Sequence, residues 1–300
     1  MNRVLQRPVQ AFVAALAAVA VLSIMDAVMK HLVLVIGIIA VSIWRSATNL
    51  AVSTLLYLPR RKHWPSSSTL KIHVSRGIVV TVMAFLFFWG IGRIPLAQAI
   101  ALTFIAPLIA MILASVFLHE NIGRRSIVGA LLAFAGVLVI MFGQASAKLG
   151  SDVLLGTIAI LGSAVSYAVN IVMMRQQALA AEPLEINFFQ SVTVMILWLF
   201  VLPLVGLPAW PGNQWLWVGL ASLLSTAGTL LFAWGYARGP ASYLAVTEYS
   251  GFLWASVLGW IVFHERVSFY TLAGAALIVF GCLLAARGKV AVLPEIDVAA

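Results

Sequence analysis

The sequence predicts an all-α integral membrane protein: ten transmembrane helices forming two inverted five-helix repeats around a central cavity. Three observations carry this. The 300 residues are 63% hydrophobic and 9% charged, against roughly 45–50% apolar and about 25% charged in soluble domains. Apolar stretches long enough to cross a ~30 Å hydrocarbon core recur throughout. The second half of the chain also repeats the first.

Cutting the chain where Pro, Gly and charges cluster gives ten spans. The first, 9–30, lies behind Arg3 and Arg7. It reads as a retained helix rather than a signal peptide, because nine more spans follow it and no convincing cleavage site does. The second, 37–58, runs from Gly37 to Pro59. A polar insert from Pro59 to Arg76 precedes the third, 75–92. The fourth, 95–118, starts at Pro95 and ends before His119-Glu120, and the fifth, 124–143, runs from Arg124 to Gly143. The sixth, 153–177, follows Asp152, the seventh, 185–205, stops at Gly206, and the eighth, 213–236, follows Pro211-Gly212. The ninth, 240–263, starts at Pro240, and the tenth, 267–287, lies between Arg266 and Arg287. A Pro at a helix start is tolerated because no intrahelical donor is lost, whereas Pro107, mid-span, is expected to kink the fourth helix.

The net charge of +9 is absorbed by topology, since cytoplasmic loops retain Lys and Arg. Thirteen cations fall on the N-terminal side, including Arg60, Arg61, Lys62, Lys71 and Arg76; Lys30, Arg93, Lys148 and Arg266 fall on the other. Both termini are therefore expected in the cytoplasm, with the chain in a bacterial inner membrane, a monomer in its lipid bilayer. Nucleic-acid binding is not expected. The one cysteine, Cys282, excludes an intramolecular disulfide.

Residues 93–143 align without gaps on 238–288 at an offset of 145. Identities include Arg93/Arg238, Pro95/Pro240, His119/His264, Glu120/Glu265, Gly136/Gly281 and Gly143/Gly288. Two repeats, 1–147 and 148–300, follow. Five helices are an odd number, so the second copy enters the membrane in the opposite sense. This plan recurs in secondary transporters, with a site between the halves near the midplane.

The stretch AQAIALTFIAPLIAMILASVFLHENIGRRSIVGALLAFAGVLVIM and its partner LAVTEYSGFLWASVLGWIVFHERVSFYTLAGAALIVFGCLL resemble the paired signature of the drug/metabolite transporter superfamily, EamA type. IWRSATNLAVSTLLYLP resembles the family's Arg-containing second helix, and the aromatic positions are most similar to the aromatic amino-acid exporters of the YddG type. The resemblance covers essentially the whole chain. It departs from internal symmetry at Phe252, opposite Pro107, and at Asn121, opposite Arg266. It implies export of amino acids, aromatic or hydrophobic ones especially, by alternating access. The alternatives are a broad drug or metabolite exporter and a channel-like facilitator.

Charges within a bilayer are costly and mark function by default. Arg45 and Glu248 each lie roughly 12 Å deep at 1.5 Å per residue. A zwitterionic amino acid needs a donor for its carboxylate and an acceptor for its ammonium, so the two are candidates for the substrate path; pairing with each other to hold the bundle is the plainer alternative. Polar stripes at helical spacing add Asn49, Asn170, Gln190 and Gln98 as candidate substrate contacts, while Ser and Thr in such stripes commonly serve helix packing. Phe85, Trp89, Tyr167, Trp198, Tyr243 and Trp254 are candidate walls of a pocket. Asp26 and Lys30, at i and i+4, suit a local ion pair; Asp26 and Glu248 are the candidates for proton coupling. His119-Glu120 and His264-Glu265 lack the second histidine of a zinc motif and read as caps or loop salt bridges, with a gate latch as the alternative. No nucleotide loop, catalytic triad or Cys/His cluster is present in the sequence, so no enzyme, cofactor or metal is expected, and the partner is a small-molecule substrate.

Overall fold

A computed structural model describes residues 8–61, 63–106, 109, 124–146, 150–236, 247–248 and 250–286. All regular structure among them is helical. The helices are α1 (Pro8–Ile36), α2 (Ile38–Tyr57), α3 (Ser67–Ile91), α4 (Leu96–Thr103), α5 (Arg124–Ser146), α6 (Ser151–Ala180), α7 (Pro183–Val205), a 3₁₀ turn (Gly212–Gln214), α8 (Trp215–Tyr236), α9 (Ser250–Phe263) and α10 (Phe269–Ala286). Six of them, α1, α2, α3, α6, α7 and α8, contain stretches long and apolar enough to cross a membrane, and α5, α9 and α10 carry shorter apolar stretches.

The bundle is built for lipid. Ala99, Ala101, Ala221, Ala255 and Ala275 lie in the core, while Phe200, Leu204 and Phe269 are 75–85% exposed. Lipid offers large side chains the same environment as a protein core, so small residues go where backbones must approach.

The largest helix contacts recur between segments related by the repeat offset of 145. α3 packs on α6 as α1 packs on α8, and α3 on α7 as α2 on α8; α2–α7 and α5–α10 pair with themselves. The symmetry reaches single residues. A Cβ on Gly90 would lie 2.6 Å from the Ile160 side chain and 2.9 Å from the Gly156 carbonyl oxygen. A Cβ on Gly235 would lie 3.2 Å from the Ala11 oxygen and 3.8 Å from the Ala15 Cβ, and every residue of this second crossing differs from its counterpart in the first by the repeat offset of 145. At the α5–α10 crossing, a Cβ on Gly136 would stand 2.5 Å from the Gly274 oxygen.

Three expectations are corrected. α3 starts at Ser67, not 75, because Ser66 accepts the Thr69 amide at 3.2 Å and caps the helix; His73 and Arg76, assigned to a loop, are buried inside it. α4 runs from Leu96 to Thr103, and Ala106 and Ile109 beyond it are again helical, with the Ile109 amide on the Ile105 oxygen at 3.1 Å; the rest of the fourth span lies outside the described residues. Lys30 pairs with Glu265 and donates to the Ile94 oxygen at 2.7 Å, rather than pairing with Asp26 one turn earlier. Glu265 in turn takes the Leu96 amide at 2.9 Å, so it caps α4 and does not pair with Arg266. His119-Glu120, Asn121 and Pro107 lie outside the described residues.

Candidate functional site

A cavity of about 150 Å³ opens among α2, α3 and α7, with Met25 of α1 and Ser225 and Thr229 of α8 at its margin. Both halves of the chain therefore contribute to its wall. The volume lies below the ~300–1,000 Å³ typical of sites for drug-sized ligands.

Arg45, Asn49, Phe85, Gln190 and Trp198, all candidates from the sequence, line this cavity. α2 presents Ser42, Arg45, Ser46 and Asn49 to it, at the i, i+3, i+4 and i+7 positions of one helix face. Asn49 acts as a brace: its amide nitrogen donates to Ser191 Oγ of α7 and its oxygen accepts from Thr226 of α8, each at 3.1 Å. Ser222 of α8 donates to the Arg45 carbonyl at 3.2 Å. These bonds hold three helices in register and leave the Arg45 side chain to face the cavity.

The guanidinium sits 5.2 Å from the centre of the Phe88 ring, and its Nε is buried without a hydrogen-bond partner. Asn187 also lines the cavity, and its amide nitrogen is likewise buried and unpartnered. Unsatisfied buried donors cost about 1–3 kcal/mol each. Two of them on one cavity wall, one charged, match a ligand that brings acceptors, and a carboxylate takes a guanidinium in a bidentate fork. Asp26 and Arg45 act on each other electrostatically across α1 and α2. Phe85 and Trp198, 6.1 Å apart, supply an apolar wall. At one end of α2, Trp44 packs edge-on against Trp210 and Trp215 and donates to the Ala209 oxygen at 2.9 Å.

The other sequence candidates lie elsewhere. Trp89 is stacked under Arg93, 3.5 Å from its guanidinium carbon. Gln98 is buried in α4, and Trp254 stands 36% exposed on α9. Glu248 accepts from the Tyr167 hydroxyl at 3.5 Å, away from the cavity wall, so the structure does not bring it together with Arg45 there. Tyr243 lies outside the described residues.

A second polar cluster was not legible as a site. Arg76 donates from Nε to Asn170 Oδ1 at 2.8 Å and from Nη1 to Gln177 Oε1 at 2.5 Å. Gln177 meets His73 Nδ1 at 2.5 Å, and His73 Nε2 meets Glu185 at 3.1 Å. Phe189 stacks on the His73 ring, centroids 4.9 Å apart. The spacing of His73, Arg76, Val80 and Ala84 along one helix face was the signal that the third span began earlier. Asn187, by contrast, was visible only as one polar residue among many.

The family model described as "EamA-like transporter family" matches residues 10–142 and 154–287. The pseudopaline exporter CntI of Pseudomonas aeruginosa is 27% identical over 275 residues, covering 89% of this chain and 92% of that protein. The riboflavin transporter of Vibrio cholerae is 26% identical, covering 76% and 77%, and the S-adenosylmethionine uptake transporter of Rickettsia bellii is 23% identical over the same shares. A solved crystal structure shares the fold at a TM-score of 0.63 and 19% identity, covering 93% of this chain and 99% of its own.

Proposed function

The chain belongs to the EamA-like transporter family, and on that premise we propose that this multi-pass membrane protein is a secondary transporter exporting amino acids or related carboxylate-bearing metabolites. The observation that carries the reading is the Arg45 cavity, with its two unpartnered donors and an aromatic wall. Arg45 and Asn187 take the carboxylate, and Phe85, Phe88 and Trp198 take an apolar or aromatic side chain. Ten crossings in two inverted halves place this cavity between elements that rock against each other. The matched crossings Gly90/Gly156 and Gly235/Ala11 support that plan. With the cation-rich loops in the cytoplasm, both termini are there as well, in a bacterial inner membrane.

The test is counterflow in proteoliposomes with a panel of labelled amino acids. Exchange of aromatic or aliphatic amino acids supports the reading; exchange of none of them refutes it. A broader metabolite exporter is favoured by the varied cargoes in the relatives' names, and riboflavin and S-adenosylmethionine in the same panel separate the two.

A further inference from the structure

We propose that His73 is a proton-binding site through which a pH gradient drives transport, a reading that rests on the transporter function above and adds its energy source. The direction of the hydrogen bonds fixes the state of the imidazole. A guanidinium only donates, so the 2.5 Å contact from Arg76 makes the facing Gln177 oxygen an acceptor. The Gln177 amide nitrogen therefore points at His73 Nδ1 and donates to it. Nδ1 is the bare nitrogen, and Nε2 carries the proton that is shared with Glu185. His73 is neutral in this arrangement, and the charges of Arg76 and Glu185 offset each other within the cluster.

A proton arriving at Nδ1 would face the Gln177 amide hydrogens. It binds only when Gln177 turns, which breaks its bond to Arg76, or when α6 withdraws from α3. Protonation of His73 and the present α3–α6 packing exclude each other, which is what a coupling device needs: a bistable element biased by one proton. The position suits the task. His73 and Arg76 precede Val80, where α3 joins the cavity wall, and Glu185 precedes Asn187, where α7 joins it. The cluster thus clamps the ends of the helices that part if the cavity opens at this end of the bundle. Ser163 of α6 also bonds the Met83 carbonyl of α3 at 2.9 Å, so movement at His73 is transmitted along α3 beside the cavity.

The charged and titratable groups around the imidazole are Glu185 of α7, Arg76 of α3 itself, and Tyr167 of α6 acting on Arg76. Beyond them Tyr57 of α2 acts on Glu185, Glu182 and Arg61. The proton is taken up at Nδ1 and leaves from Nδ1 before the clamp re-forms; no bond between heavy atoms changes.

The test reconstitutes wild type and His73→Gln and measures uptake of a mixture of tritiated amino acids, in counterflow and under a pH gradient. Gln at 73 offers an oxygen and an amide to the same neighbours but takes no proton. Exchange of one proton raises wild-type accumulation about tenfold per pH unit; His73→Gln keeps counterflow and loses that response. Gradient-driven accumulation in His73→Gln equal to wild type overturns the proposal, as does a wild type that exchanges substrate but ignores the gradient. Should the wild type show no counterflow, the transport reading falls on its own, and proton binding is read from thermal melting in detergent. There the wild type loses stability between about pH 8 and 5 relative to His73→Gln, and Gln177→Glu, whose carboxylate welcomes a protonated Nδ1, shrinks or reverses that loss. Coincident melting profiles overturn the proposal.

Discussion

Lys30 on α1 forms an ion pair with Glu265, which follows the left-handed His264 (φ 54°) at the end of α9. The same carboxylate caps α4 through the Leu96 amide. A Cβ at position 259 would sit 2.9 Å from its second oxygen, so Gly259 makes the room. One side chain from the second half thus ties together α1 and α4 of the first.

Removing either partner leaves the other charge buried. Lys30 is 6% and Glu265 17% exposed at the side chain, and breaking such a pair costs about 3–5 kcal/mol. Glu265→Ala should therefore lower the melting temperature in detergent more than Lys30→Met, because it also uncaps α4. The double variant should recover part of the loss, and a double-mutant cycle with no coupling would contradict the pairing.

Gly136→Ala drives a Cβ into the Gly274 carbonyl, a backbone atom that cannot turn away. Overpacking of this kind costs about 1–3 kcal/mol. Gly219→Ala meets nothing within 4 Å and should raise stability by up to about 1 kcal/mol through helix propensity. Melting of the two variants against wild type checks the contrast.

Arg45→Ala removes the charged donor from the cavity. A hydrogen bond to a charged group is worth about 1.5–3 kcal/mol, so substrate affinity in counterflow should fall roughly 10- to 150-fold. Arg45→Lys should recover little of it if the carboxylate is forked. Glu248→Gln, which alters a group bonded to Tyr167 outside the cavity wall, should raise the half-saturation concentration less than Arg45→Ala does.

Asn187→Leu keeps the branched shape at that position but removes the unpartnered amide. Relief of a buried, unsatisfied donor should leave the empty protein as stable as wild type or more so. Substrate affinity should drop all the same, and melting with and without substrate separates the two effects.

The membrane class and the repeat were legible because both are written locally. Composition needs no contacts, and the offset of 145 that aligns Arg93 with Arg238 carries straight on to Gly90 and Gly235 at the helix crossings. The α2 face was legible for the same reason, since Ser42, Arg45 and Asn49 share one helix surface. Partners far apart in the chain were not. Asp26 is one turn from Lys30, yet Lys30 turns to Glu265, 235 positions away, and the Asp26 carboxylate acts on Arg45 instead. His73 and Glu185 are separated by 112 positions, and the Ser-rich run before them reads as a loop until Ser66 is seen capping α3.

The most direct measurement places a single cysteine at Gln190, on the cavity wall, in a Cys282→Ser background, and applies membrane-impermeant maleimide to each face of oriented, sealed vesicles. Alternate opening of the two halves predicts labelling from both faces, slowed by saturating substrate, while the vesicles remain tight to small ions. Labelling from one face alone under every condition, or an open leak through the protein, would contradict it.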